Sequence, residues 1–471
     1  MMDGYLTLKK RYVLRGWTGM KHGITDTVSG GTLFLPGNVY DTLRFCNGRF
    51  EEDSPVFLGQ RKEHLKAFIQ NDLIEGLKEP GSLSPEQEYK EYDNRYIQMV
   101  HWSMTGHCNY RCKHCYMSAP HAVFPKPDTA ECRRIVDEIA SCGIRLVSLT
   151  GGEVLTRDDL LPLIDYMLEK SLRIVTIMSN GALVNEELLT ELEKRNCKPE
   201  FNMSFDGTEG WHDWLRGVPG AEKAVERAFL LCKEHGFPTG SELCLHRGNA
   251  TTLRDSVKKL SEWGAGSLKV GRLNPSGEAV NINDKFLSCE EEYDIYLDYI
   301  PKYFEDGMPV KNLILAGLFG CENGKPYISG KKGNEASPND KQFVCRSARF
   351  TMYLGPDGRI LPCIPMSETT KTQEYFPSVK DMTLKEALTD SRYISFIRSD
   401  VGQYLSHNKE CAECEYKYRC GGGCRGRAVT ENDGADLLGI DPDACFFFKG
   451  GYYDKVKKVI SDFKTDHPQT E

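Results

Sequence analysis

"IQMVHWSMTGHCNYRCKHCYMSAP", residues 97–120, runs from an apolar, β-prone stretch directly into three cysteines, Cys108, Cys112 and Cys115. A structural zinc site is closed by four ligands. A CX3CX2C loop supplies three thiolates and leaves one coordination position to be filled from elsewhere. In α/β proteins ligands gather on loops at the carboxyl ends of strands, which is where this loop would lie. What surrounds it decides the fold.

Further short runs follow: "IRLVSLTGG", "RIVTIMSNG", "EFNMSFDG", "SELCLHRGN" and "SLKVGRLNP". They alternate with amphipathic stretches such as "TAECRRIVDEIASCG" and "GAEKAVERAFLLCKEHG". Strands interleaved with helices imply βαβ units and a parallel sheet. Six such units suit an open doubly wound sheet or a partial (β/α) barrel, and the pattern does not choose between them. The loop after the second run carries Gly151, Gly152 and Glu153; the next carries Ser179 and Asn180; the fourth carries Ser204 and Asp206. Glycines admit close backbone approach, Glu153 is an acceptor for an ammonium group, and Ser204 and Asp206 suit sugar hydroxyls. Ser179 and Asn180 either belong to this site or cap a helix. Arg272, with Asn274 in "GRLNPSG", either reaches cofactor or substrate or closes a structural ion pair.

A chain of 471 residues is expected to form two or three domains. Its net charge of -8 argues against a nucleic-acid partner. "MMDGYLTLKKRYVLRGW" lacks a secretory h-region, and no apolar run is long enough for a membrane span, so a cytoplasmic protein with no membrane partner is expected. In that reducing compartment, clustered thiols among the 18 cysteines are expected to hold metal. The second group is Cys411, Cys414, Cys420 and Cys424 in "CAECEYKYRCGGGC", with Cys321, Cys345, Cys363 and Cys445 around it. By themselves these eight suit a pair of zinc ribbons. The seven isolated cysteines read as small buried hydrophobes.

The CX3CX2C loop followed by Tyr116, with GGE on the next βα loop, resembles the radical SAM superfamily over residues 97–280. The resemblance implies a partial (β/α)6 TIM-like barrel, with a [4Fe–4S] cluster on Cys108, Cys112 and Cys115. S-adenosylmethionine would then fill the vacant position. It also implies Tyr116 against the adenine, Gly151, Gly152 and Glu153 around the methionine ammonium, and Ser204 and Asp206 near the ribose. Ser179, Asn180 and Arg272 complete the expected cofactor contacts. Val154 departs from the family, which commonly has proline there. The run CX2CX5CX3C, with Cys345, a GX4C motif ending at Cys363, and Cys445, resembles the SPASM extension of these enzymes. That implies two auxiliary [4Fe–4S] clusters, one on Cys345, Cys363 and Cys424, the other on Cys411, Cys414, Cys420 and Cys445. Cys321 is the candidate fourth ligand of the first; without it, one iron would be open to a substrate atom. Sulfatase maturases of this family commonly have an aspartate after the GX4C cysteine; Ile364 stands there, which sets sulfatase maturation aside.

In residues 1–78, "YLTLKKRYVLRGW", "GITDTVSG" and "GTLFLP" read as three short strands, and "VYDTLRFCNG" and "RKEHLKAFIQNDLI" as helices. This winged-helix-like module resembles the leader-binding domain of ribosomal-peptide maturases, which works by strand addition; a structural cap is the competing reading. A linker is expected over 79–96, a bridging region over 281–320, the SPASM domain over 321–448 and a charged helical tail over 449–471. The chain is thus expected to be a peptide maturase with three clusters. It would make an intramolecular cross-link, expected as a thioether, in a leader-bearing precursor peptide. Its electrons would come from an external one-electron reductant of flavodoxin or ferredoxin type. A small-molecule dehydrogenase or mutase and a non-catalytic zinc-ribbon scaffold are the alternatives.

Overall fold

The central alternation becomes six parallel strands laid side by side in chain order: Met99–Ser103, Leu146–Thr150, Arg173–Ser179, Glu200–Ser204, Thr239–Leu245 and Ser267–Arg272. The computed structural model describes residues 4–328, 339–368, 370–431 and 436–466. His101 pairs with Ser148, Met178 with Asn202, and Glu242 with Lys269. The strand order never reverses among these six, so the sheet has no doubly wound switch point and forms a partial (β/α)6 barrel.

The outward faces of the strands are apolar. Val100, Trp102, Val147, Leu149, Phe201, Met203, Leu243, Leu245, Leu268 and Val270 are buried among the covering helices. The first of these helices, Thr129–Ser141, begins at Asp128, whose carboxylate accepts from the Glu131 N–H. It buries Cys132, Ile135, Val136 and Ile139, one stripe at helical spacing. The alternate strand positions are polar: His101, Ser148, Asn202, Glu242 and Lys269. Parallel strands covered on both faces read as unbroken apolar runs; this period-two alternation leaves an inner face that is wet. Glu242 and Lys269 pair at 3.4 Å there with side chains 50% and 56% exposed, although their strands are interior to the sheet.

The sheet runs further than the sequence indicates. Asn312–Leu315 continues it in parallel beyond the sixth strand, followed by the antiparallel pair Phe319–Glu322 and Lys325–Ile328. At the other edge Thr351–Leu354 pairs in parallel with the first core strand and Ile360–Leu361 closes a hairpin on it. The start of the cysteine-rich region is thereby sewn onto the barrel. Beyond it come short helices, including Arg392–Ile397, Val401–His407, Arg425–Glu431 and Pro442–Lys449, and then the C-terminal helix Tyr452–Asp466.

The N-terminal module holds more strands than the three expected. "YLTLKKRYVLRGW" splits into Tyr5–Leu8 and Tyr12–Trp17, and the tails of the two expected helices become the strands Asn47–Glu51 and Ile74–Leu77. One sheet sets Tyr5–Leu8 between those two strands, beneath the paired helices Gly37–Arg44 and Gln60–Gln70. The second has the order Thr32–Phe34, Met20–Asp26, Tyr12–Trp17, Lys90–Tyr92. Its last strand lies inside the stretch expected to be a linker. That stretch is anchored because Tyr92 stacks on Trp17 at 5.4 Å and Tyr96 meets Trp17 edge-on at 4.7 Å. The Trp17 indole and the Asn94 amide both donate to the Cys142 carbonyl, at 3.0 and 3.1 Å. Cys142 precedes the second core strand, so the module docks at the amino ends of the strands, opposite the cysteine loop.

Candidate active site

Cys108, Cys112 and Cys115 sit on the loop leaving the first core strand, each half-buried. Backbone N–H groups point at two of the sulfurs, Tyr110 to Cys108 and Ala119 to Cys115, both at 3.4 Å. The Arg216 guanidinium donates to Cys112 Sγ at 3.8 Å. Burial pushes the Cys108 thiol up to about 12 and raises Cys112 and Cys115.

The second loop is pressed onto the first. Gly152 N donates to the Thr105 carbonyl at 2.7 Å and Glu153 N to the His107 carbonyl at 2.9 Å. Glu153 is buried, and its carboxylate accepts from Asn180 N at 2.7 Å, Leu155 N at 3.0 Å and the Ser179 hydroxyl at 3.1 Å. Burial raises its pKa against these donors. Asn180 reaches on to Asn109 at 2.8 Å, which ties the third loop to the cysteines. Ser179 and Asn180 thus stand between Glu153 and the cysteine loop.

Two other expected contacts are committed elsewhere. Asp206 is fully buried, accepting from Arg216 Nε at 2.6 Å and Cys244 N at 3.0 Å. Despite burial, Arg216 and His212 hold its carboxyl well below the usual range. Its carboxylate is paired within the fold, while Ser204 stays half-buried at the strand end. Arg272 closes the structural ion pair: it meets Glu292 at 3.4 Å and Asp443 at 3.0 Å, so it ties the barrel to the cysteine-rich region. Tyr116 turns to Tyr353, hydroxyl to hydroxyl at 3.5 Å, beside a pocket also lined by Phe124, Asp357 and Arg359. His114, inside the cysteine loop, lies instead in the field of Arg216, Asp206, His246 and His212; burial and Arg216 push it down to about 3.

Arg216 is the residue that sequence reading missed. Its six-residue helix Trp211–Arg216 docks on the cysteine loop: Lys113 N donates to the Leu215 carbonyl at 2.8 Å, and Gly217 touches the Arg111 carbonyl. "WHDWLRG" follows the Asp206 loop at once, but no spacing rule links it to the cysteines.

In the cysteine-rich region, Cys411, Cys414, Cys420 and Cys445 line one cavity with Tyr404 and Phe448. Tyr404 Oη lies 3.0 Å from Cys411 Sγ. Cys363, raised by burial, has Cys424 and Cys345 as its nearest thiol charges. Cys321 is not brought to them. It lies in Phe319–Glu322 with Sγ 3.9 Å from Met308 Sδ, beside Tyr303, while Cys345 and Cys363 flank the hairpin at the other sheet edge. Among the described residues no three Cys, His, Asp or Glu converge tightly enough to hold a single metal ion. Partly accessible thiols grouped in threes and fours, with N–H groups aimed at the sulfurs of Cys108 and Cys115, are a donor set suited to iron–sulfur clusters.

Residues 102–260 match the radical SAM superfamily, and residues 345–415 match the SPASM iron–sulfur cluster-binding domain. The chain is a radical SAM enzyme, and it carries a C-terminal SPASM domain. Both domains imply iron–sulfur clusters, and the first implies S-adenosylmethionine. The chain is 27% identical over 372 residues to Fe-coproporphyrin III synthase of Methanosarcina barkeri (strain Fusaro / DSM 804), covering 76% of this chain and 90% of that protein. It is 24% identical over 364 residues to the PqqA peptide cyclase of Gluconobacter oxydans (strain 621H), covering 76% and 92%. The crystal structure of Streptococcus suis SuiB bound to precursor peptide SuiA superposes with a TM-score of 0.63 at 15% identity, over 93% of this chain and 99% of that one.

Proposed function

We propose that this enzyme matures a ribosomally made precursor peptide by oxidative cross-linking, with a thioether as the bond formed. The observation that carries the reading is the extent of the likeness to SuiB. It spans 93% of the chain, more than the barrel and the cysteine-rich region occupy, and so takes in the N-terminal module. In this reading the module, residues 1–78, holds the leader by adding a strand to one of its sheet edges. The relative PqqA peptide cyclase is named for a peptide substrate as well.

The chain's own residues divide the work. Cys108, Cys112 and Cys115 would hold the cluster that binds S-adenosylmethionine. Glu153, oriented by Ser179 and Asn180, would accept the cofactor's ammonium, and Ser204 would meet its ribose. Reductive cleavage of the bound cofactor supplies a 5′-deoxyadenosyl radical, with the electron coming from an external flavodoxin or ferredoxin in the cytoplasm. Cys345, Cys363 and Cys424 would hold one auxiliary cluster with an open position, and Cys411, Cys414, Cys420 and Cys445 the other. The polar inner face of the barrel, with Glu242 and Lys269, would bind the core segment.

The test is anaerobic turnover of the reconstituted enzyme with a candidate precursor peptide sought beside its gene, with and without the leader. The expected result is a cross-linked product whose yield collapses when the leader is removed. The relation to Fe-coproporphyrin III synthase favours a second reading, a small-molecule substrate. Peptide-independent turnover of an iron porphyrin would establish it instead.

A further inference from the structure

Oxidative ring closure leaves a proton to be taken up, and the loop bearing Cys363 carries a carboxylate placed for it. Glu368 ends the turn Ile364–Glu368 and is half-buried. Its Oε2 accepts from Asn274 Nδ2 at 3.3 Å and Ser276 Oγ at 3.2 Å, both on the segment after the sixth core strand. The neighbouring Ser367 hydroxyl faces Tyr116 and Tyr353. Arg427, which also pairs with Asp443, and then Lys269 of the inner face act on the Glu368 charge, and Glu368 acts in turn on Cys244 and Cys363. The carboxylate therefore stands at the mouth of the barrel, between the residue that follows the first cysteine loop and the first auxiliary cysteine site.

The other buried carboxyls near the two sites are committed. Glu153 is held by the second and third loops. Asp206 pairs with Arg216, Glu292 and Asp443 pair with Arg272, and Asp441 caps the helix Pro442–Lys449. Glu368 takes its two hydrogen bonds from neutral donors. Burial raises its pKa against the opposing charge of Arg427.

We propose that Glu368 is the proton acceptor of the cross-linking step, an inference that rests on the peptide-maturase reading. That step removes two hydrogens from the peptide. One leaves as an atom and becomes a C–H bond of 5′-deoxyadenosine. When the resulting carbon radical bonds to a thiol sulfur, the S–H bond breaks and its proton goes to the Glu368 carboxylate. One surplus electron remains, for which an oxidised auxiliary iron–sulfur cluster, held by Cys345, Cys363 and Cys424, would be the acceptor. The sequence motifs name no base, since the position directly after Cys363 is Ile364.

The experiment compares full-length wild type, Glu368→Gln and Glu368→Asp with a candidate precursor peptide sought beside the gene, S-adenosylmethionine and dithionite. It reads cross-linked product per 5′-deoxyadenosine formed, and peptide affinity for the cluster-free proteins. The glutamine variant is expected to lower that ratio about 100-fold. The aspartate variant should recover part of it with a displaced acid limb in its pH profile, and all three proteins should bind the peptide within about twofold. A ratio unchanged in Glu368→Gln, product and 5′-deoxyadenosine falling in step, or lost peptide affinity would each overturn the assignment. Wild type that makes 5′-deoxyadenosine but leaves the peptide unaltered overturns the maturase reading itself, and this step with it.

Discussion

Gly152 and the His107 carbonyl are packed so closely that a Cβ added to the glycine would lie 2.3 Å from that oxygen. Gly151 is nearly as tight, 2.7 Å from the Thr105 carbonyl. The paired glycines of the GGE loop thus act first on the fold, letting the second βα loop lie against the cysteine loop with Glu153 beneath it.

Gly152→Ala is accordingly expected to push the two loops apart. Contact at 2.3 Å with backbone leaves no flexible side chain to yield. The reconstituted variant should lose the iron of the first cluster and form at least about 100-fold less 5′-deoxyadenosine. Iron analysis and chromatographic quantitation check both.

The Asp206–Arg216 pair gives a prediction on stability. Asp206→Asn leaves the guanidinium buried without its counter-charge, at an expected cost of about 3–5 kcal/mol in chemical denaturation. The pH dependence has a definite sign. Asp206 has a folded pKa far below its unfolded value, so its contribution is complete above the ordinary carboxylate range and is lost as pH falls through and below about 4. The wild-type advantage over Asp206→Asn should shrink on acidification over that range.

The cysteine assignments separate cleanly by iron content. Cys363→Ala should remove about four irons per chain and Cys321→Ala none. Cys321 is a packed core thiol beside Met308, so its variant should show only the modest loss of a small buried side chain.

Trp17 fastens the N-terminal module to the barrel through one indole hydrogen bond and a ring stack. Trp17→Ala is expected to cost about 3–5 kcal/mol at that contact. Limited proteolysis should cut the stretch before Lys90 faster in the variant, with the barrel fragment unchanged.

The barrel was legible because its strands alternate and its loops carry local motifs. The cysteine spacing, GGE and the cysteine run are each local in sequence; the structure sets GGE against the first cysteine loop and brings Cys411, Cys414 and Cys420 to one cavity. What escaped depends on contacts across long separations. Arg272 meets Asp443, 171 positions away, and Arg216 meets Cys112 across 104; no short pattern encodes either pair. Cys321 was assigned by position alone, and sheet topology places it at the far edge from Cys345 and Cys363. The linker reading failed because a three-residue strand, Lys90–Tyr92, is set by pairing with Arg15–Trp17 rather than by its own composition.

The central claim, oxidative cross-linking of a peptide, is tested most directly by the mass of a candidate precursor peptide sought beside this gene after anaerobic co-expression with the enzyme. The account predicts the loss of two hydrogens, with fragmentation placing the new bond between a cysteine sulfur and a carbon. A peptide of unchanged mass, from cells in which the enzyme is iron-loaded and forms 5′-deoxyadenosine, would contradict it.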